Sequence, residues 1–173
     1  MMIYNLGESL YTYELGTTTL KPLLATAMPT ISPDGLTYTI PVRQGVVFHD
    51  GTPFDAAAMA FSLNRFIQNG GKPSFLLADI IEKVSVTGAY ELQIKLKKPF
   101  SAFSALLAFP GACAVSPAVY EIGDQENPKF KPTEFVGTGP YKLTTYENNK
   151  VIMDVFEDYW GKKPENNGIN LQI

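Results

Sequence analysis

The residues best able to do chemistry in this chain are few and scattered. His49 is the only histidine, and it stands in the run His49-Asp50-Gly51-Thr52-Pro53. A His–Asp pair acts as a general base when a nucleophile lies within hydrogen-bond reach. No G-x-S-x-G elbow, S-x-x-K motif or phosphate-binding glycine loop is present. The pair therefore reads as turn hydrogen bonding, and no catalytic residue is assigned. A zinc site needs about three ligands of His, Cys or carboxylate type. One histidine and the lone, distant Cys113 do not supply them. The carboxylates are scattered, without calcium-loop spacing. No metal site and no cofactor are assigned.

Two backbone-rich segments could bind rather than catalyse. In Gly137-Thr138-Gly139-Pro140 the glycines can make a tight entrance to a strand, with Pro140 holding Gly139 extended. Alternatively, bare glycine N–H groups can donate to a bound peptide. The tight-turn reading is preferred. Tyr159-Trp160-Gly161 can be a ligand platform, because both rings carry a polar group. The preferred reading is an aromatic anchor that packs a loop.

The elements that must position these residues follow from period and punctuation. Ile3 to Tyr13 reads as a strand with a loop, broken at Gly7. Leu20 to Met28 reads as a connector between Pro22 and Pro29. Pro33-Asp34-Gly35 is turn chemistry. Tyr38, Ile40 and Val42 alternate with Thr37, Thr39 and Arg43, which predicts a half-buried strand. Pro41 within that run predicts an edge strand or a bulge. Asp55 is a candidate N-cap. The helix it opens, to Gln68, carries Met59, Leu63, Phe66 and Ile67 on one stripe. Asn69-Gly70-Gly71 reads as its C-terminal stop.

Further on, Ile80 to Lys98 predicts a hairpin turning at Thr87-Gly88-Ala89. Its second strand has one apolar face, from Tyr90, Leu92, Ile94 and Leu96. Ser101 to Ala108 predicts a short helix capped by Ser101. Cys113 to Val115 reads as a short apolar strand, and Pro117 to Ile122 as a helical turn. Gly123 to Glu134 reads as a polar surface loop. Tyr141 to Glu147 and Lys150 to Glu157 predict a second hairpin, across a type I′ pair at Asn148-Asn149. Ile169, Leu171 and Ile173 alternate as a final strand.

Composition bounds the class. At 173 residues the chain is one domain, or one domain with a piece of another. It is 45% hydrophobic and 18% charged, as ordinary globular proteins are. A net charge of −3, with no basic patch among aromatics, implies no nucleic-acid partner. Met1-Met2-Ile3-Tyr4-Asn5 lacks the features of a signal peptide. No apolar run reaches the length of a transmembrane helix.

The stretch Asp34-Gly35-Leu36-Thr37-Tyr38, then Arg43 to Pro53, resembles the family 5 extracellular solute-binding proteins. These are the oligopeptide- and dipeptide-binding receptors of bacterial ABC importers. Gly137-Thr138-Gly139-Pro140-Tyr141 and Asp158-Tyr159-Trp160-Gly161-Lys162-Lys163-Pro164 follow in the family's order. The resemblance covers essentially the whole chain.

That resemblance implies an α+β fold, a fragment of a type II periplasmic-binding-protein fold. Residues 1–23 are expected to be an early strand of the ligand-binding lobe, and 24–165 a small accessory domain of mixed antiparallel sheet with flanking helices. Residues 166–173 are expected to lead back to the first lobe, the second lobe being absent. The family is exported, so a targeting segment is expected ahead of this chain. The implied setting is periplasmic or extracellular, lipid-anchored or soluble. The implied partners are a peptide or other small solute and the membrane subunits of the importer.

The resemblance also supplies site candidates. The family's first long strand ends in a Tyr-Glu-Gly-Leu-like segment that reaches the cleft; here the corresponding residues are Glu8-Ser9-Leu10, with Ser9 in place of the common glycine. Glu8 is either a solvated strand-end carboxylate, the preferred reading, or a contact to ligand backbone. Phe109 to Gly111 corresponds to a cleft-facing loop, which brings in Phe109 and Gly111. The segment ahead of Gly139-Pro140 lies near the cleft in related receptors, which keeps Gly137 and Thr138. Two alternatives accompany this reading. One is a free-standing module that homodimerises through exposed strand edges. The other is a hydrolase with His49 as its only nameable base.

Overall fold

The computed structural model describes residues 2–68, 73–121 and 135–172, without the side chains of Tyr120 and Glu121. The described residues fold as α+β, with three antiparallel sheets among them. It opens on a four-residue helix, α1 (Ile3–Leu6). That corrects the expected strand over Ile3–Tyr13. Strand geometry begins only at β1 (Tyr11–Tyr13), which pairs with β2 (Leu20–Pro22). The expected connector over Leu20–Met28 therefore starts as a strand. Three residues are too few to show a period.

Two strands follow, β3 (Thr30–Ile31) and β4 (Thr37–Pro41). The Pro33-Asp34-Gly35 turn joins them, with Gly35 at φ +70°. Asp34 accepts the Leu36 N–H at 3.0 Å, the local bond that suits Asp to turns. Pro41 does not mark an edge, because β4 lies between β3 and β6. It is the last residue of β4, the short β3 stops before it, and its carbonyl accepts the Thr26 N–H at 2.9 Å.

Helix α2 (Ala56–Gln68) begins where Asp55 caps it, with Oδ1 accepting the Ala58 N–H at 2.8 Å. Met59, Leu63 and Phe66 are buried, as the apolar stripe requires. Replacing Asp55 with alanine is expected to cost about 1 kcal/mol, lowering the midpoint of thermal unfolding by roughly 2–4 °C. An unchanged midpoint would show that the cap carries no stability. The Asn69-Gly70-Gly71 stop lies outside the described residues.

After α3 (Phe75–Ala78) come β5 (Ile81–Gly88) and β6 (Glu91–Leu96). Tyr90 sits in the turn between them and not in the strand. The four-stranded sheet runs β3-β4-β6-β5. Tyr38, Ile40, Leu92, Ile94 and Leu96 are buried with Leu63 and Met59 of α2 in one continuous core.

Helix α4 (Phe103–Leu106) starts at Ala102, without a side-chain cap, so Ser101 does not serve as one. A 3₁₀ turn (Pro110–Ala112) leads to Cys113–Val115, which is buried but belongs to no strand. Its polar backbone is met elsewhere: the Val115 N–H donates to Ser62 Oγ at 3.0 Å. The predicted helical turn is present as α5 (Pro117–Glu121). The expected loop over Gly123–Glu134 lies outside the described residues.

The last sheet is β7 (Tyr141–Glu147), β8 (Lys150–Val155) and β9 (Gly168–Gln172). Its first hairpin does turn at Asn148-Asn149. The turn is not type I′, because that geometry needs positive φ and no described non-glycine residue has it. The register of this ladder shifts between Leu143 and Thr145. Leu6, Cys113, Val115, Phe135, Tyr141, Val151 and Met153 close a second core on this sheet. No helix among the described residues is long and apolar enough to cross a membrane.

Candidate functional site

The candidate residues converge on the segment Leu6–Leu10, which threads between three distant parts of the chain. Leu6 O accepts the Gly139 N–H at 3.0 Å, and Glu8 O accepts the Ala114 N–H at 2.9 Å. Ser9 O accepts the Leu24 N–H at 3.2 Å, and Leu10 O takes both Leu23 and Ala25. Such close backbone passage explains the glycines. A Cβ on Gly137 would stand 2.2 Å from Leu6 O, and one on Gly139 2.5 Å from Asn5 O.

Glu8 is not a solvated carboxylate, which corrects the preferred reading of it. It is only 5% exposed. Thr138 Oγ1 donates to Oε2 at 2.9 Å, and Trp160 Nε1 donates to the same oxygen at 2.8 Å. Tyr159 OH donates to Oε1 at 2.7 Å. Three donors on one buried carboxylate satisfy what burial alone would leave costly. Burial pushes the Glu8 carboxyl above its usual value, while Trp160, Tyr159, Thr138 and nearby Arg43 pull the other way without cancelling it. Burial, with Glu8 alongside, also raises the Tyr159 hydroxyl. The Arg43 guanidinium stands 4.2 Å over the Trp160 ring, and its Nε donates to Leu23 O at 3.1 Å.

His49 holds the other side of the glycine segment. Its N–H donates to Gly137 O at 2.9 Å, and the Gly137 N–H donates to its Nδ1 at 3.3 Å. With Nδ1 accepting, Nε2 must be the donor to Gly139 O, at 2.9 Å. The imidazole is thus neutral and has both nitrogens engaged. Burial pushes its pKa down to about 4; Lys142 adds to this, and the Gly139 carbonyl and Asp50 oppose it. Asp50 turns instead to Thr52 and Ser116, at 2.6 Å each. The pair is structural hydrogen bonding, although its partners lie far from the turn. The hydrolase alternative loses its only base. The Gly137 N–H is likewise engaged inside the protein, so it is not a bare donor to ligand.

Ser9 and the second candidate segment meet directly. Ser9 Oγ donates to Phe109 O at 3.0 Å. The Phe109 ring lies over Gly111, where a Cβ would come within 2.5 Å of its Cε1. It also packs on Phe66 of α2 at 5.9 Å between ring centres. Phe109 and Gly111 are half-buried, whereas Thr138 is fully enclosed. Cys113 is buried with its thiol pushed up to about 12, first by burial, which makes it unreactive.

The six sequence candidates therefore form one contiguous group around Glu8 and Ser9. Sequence reasoning missed Arg43 and the link from Tyr159 and Trp160 to Glu8. The anchor reading of those rings agrees with their contacts, but no local pattern pointed to a partner some 150 residues away. Among the described residues no group of three His, Cys, Asp or Glu could hold a metal.

This architecture is the one found in periplasmic binding proteins. It superposes on NikA from Brucella suis in complex with Fe(III)-EDTA at 29% identity and TM-score 0.87, covering 99% of this chain and 34% of that one. DppA from Helicobacter pylori in complex with the peptide STSA matches at 28% identity and TM-score 0.81, covering 97% of this chain and 36% of that one. The profile of the bacterial extracellular solute-binding proteins, family 5 Middle, matches residues 19–173. The chain belongs to this family.

Curated relatives agree. The glutathione-binding protein GsiB of Salmonella paratyphi A is 41% identical over 133 residues, 76% of this chain and 25% of the relative. That of Escherichia coli K12 is 38% identical over 143 residues, 82% of this chain and 27% of the relative. The chain thus spans about a quarter of the length of these relatives. They are solute-binding proteins by name, not enzymes. Self-association through strand edges finds no support in these comparisons.

Proposed function

We propose that this chain supplies one wall of the solute-binding cleft of an ABC-importer receptor that captures peptides or similar small solutes. The observation that carries this reading is the match, over nearly the whole chain, to a periplasmic binding protein solved with a bound peptide. The 38–41% identity to glutathione-binding relatives makes glutathione, a modified tripeptide, the first ligand to test. The receptor would work in the periplasm or at the cell surface, soluble or lipid-anchored, and deliver its solute to the importer's membrane subunits. Closure of two lobes by hinge motion would complete the site.

In this reading residues 1–23 belong to the ligand-binding lobe, 24–165 to the accessory domain, and 166–173 return toward the first lobe. Ligand would run along the Glu8–Ser9 backbone and the half-buried Phe109–Gly111 rim. Gly137 and Thr138 would back that wall. Affinity would come from backbone hydrogen bonds, with loose pockets tolerating varied side chains.

A one-sided wall loses the contacts of the facing lobe and the closure. Calorimetric titration of this chain alone with glutathione and mixed short peptides is expected to give no binding heat. Micromolar binding would show that the site needs no second wall.

A further inference from the structure

The Glu8 carboxylate is more than the docking of its own segment requires. The carbonyls of Leu6, Glu8, Ser9 and Leu10 already accept from Gly139, Ala114, Leu24, Leu23 and Ala25. The side chain instead gathers Thr138, Tyr159 and Trp160, from loops far apart in sequence. Trp160 in turn lies against Arg43, which is bonded to Leu23 just beyond the β1–β2 hairpin. On the other side, the Phe109–Ala114 stretch hangs from Glu8 and Ser9 at two points. These are the Ala114 N–H on Glu8 O at 2.9 Å and Ser9 Oγ on Phe109 O at 3.0 Å. Phe109 O also accepts the Ala112 N–H at 3.0 Å, so its position sets the 3₁₀ turn.

We propose that Glu8 is the positioning residue of this wall: its carboxylate ties the Leu6–Leu10 segment to the Thr138 and Tyr159–Trp160 loops, and so fixes where Ser9 holds the Phe109–Gly111 rim. Glu8 is a tie within the protein, and the ligand is left to the backbone and the rim. The bearing on ligand rests on the cleft reading above. The tie itself does not, and it is measured without ligand. The charged and titratable groups facing Glu8 are Arg43, Tyr159 and, beyond Gly7, Cys113. His49 stands behind the same glycine segment.

Trp160 is the only tryptophan, so its fluorescence reports this tie without labelling. In the unmodified chain, Trp160 emission is expected to follow a one-proton transition above pH 4.5 as Glu8 titrates. Glu8→Gln keeps the size and an acceptor oxygen but cannot ionise, and is expected to abolish that transition; His49→Gln is expected to keep it. Glu8→Ala removes the tie altogether. Its amide exchange at Ala112, Ala114 and Tyr159 is expected to accelerate at least tenfold more than at Leu96 of the four-stranded sheet and at Val42 just after β4. Equal acceleration at both sets, or none at the first, would overturn the proposal. If the alanine variant does not fold, the glutamine variant decides: a transition that survives Glu8→Gln overturns the proposal equally. Failure of the tie leaves the cleft reading standing, and absence of ligand binding leaves the tie standing.

Discussion

Gly137→Ala is expected to destabilise this chain by about 3 kcal/mol, the upper end of the range for overpacking. The new methyl would meet Leu6 O at 2.2 Å, the Phe135 ring at 2.8 Å and Gly7 Cα at 3.0 Å. Two of these atoms are backbone, so no rotamer change relieves the contact. Leu6 is held there by the Gly139 N–H, and Gly137 by two bonds with His49, so neither strand of the crossing can yield alone. In a chain of this size that is a fall of roughly 6–12 °C in the thermal midpoint. Gly88→Ala is the matched control. Its Cβ would meet only Glu91 Cβ, at an ordinary 3.6 Å, and its midpoint is expected to move by no more than about 2 °C. Thermal melts followed by circular dichroism compare the two. Equal shifts would show that the crossing of residues 5–7 with 137–139 is not the tight contact described.

The second large effect is acid sensitivity through His49. Its pKa is about 4 in the folded chain against 6.5 ordinarily. A depressed folded value means that the unfolded state binds the proton first. The stabilisation is therefore complete above pH 6.5 and is lost as pH falls from 6.5 toward 4. The gap corresponds to roughly 3 kcal/mol over that window. Burial is the main cause, and a protonated Nδ1 would also point a hydrogen at the Gly137 N–H that now donates to it. Asp50 acts in the same direction but lower. Burial pushes it up, yet the bonds from Ser116 and Thr52 hold it below its usual 3.8, so its stabilisation is present above 3.8 and lost below its folded value. Glu8 acts oppositely. Its raised pKa makes its contribution complete below 4.5 and lost as pH rises through the folded value. Urea midpoints measured between pH 7 and 4 separate these effects when His49→Gln is run alongside. The glutamine is expected to remove the His49 part of the slope and leave the rest. Parallel slopes in both proteins would contradict the neutral, doubly bonded imidazole.

Much of the scaffold was legible from local pattern. The α2 stripe of Met59, Leu63 and Phe66 has the helical period, and Asp55 precedes it as a cap should. Leu92, Ile94 and Leu96 alternate strictly, and all three are buried. What was misread had no period to read. Helix α1 has four residues, and β2 has three. Cys113–Val115 is apolar enough for a strand, but it is buried against α2 and the third sheet, with Ser62 taking its backbone donor. Asn148-Asn149 has I′ chemistry, yet the hairpin turns there without positive φ.

The site was legible only as a set of residues, not as an arrangement. Glu8, Ser9, Phe109, Gly111, Gly137 and Thr138 came from resemblance to related receptors. That Glu8 is enclosed and triply bonded depends on contacts across 130 to 152 positions. His49 likewise finds its partners 88 and 90 residues away. Side-chain hydrogen bonds at such separations leave no mark on local composition, and a carboxylate beside a turn looks the same whether solvent or three donors surround it.

Whether these residues serve as one wall of a family 5 binding cleft can be measured in an intact receptor. The direct measurement is glutathione titration of a chimaera in which this chain replaces the matching quarter of the Escherichia coli glutathione-binding protein. The chimaera is expected to fold and to keep an affinity within about tenfold of the parent's, a change of about 1.4 kcal/mol or less. A folded chimaera that no longer binds glutathione or any short peptide would contradict the cleft reading.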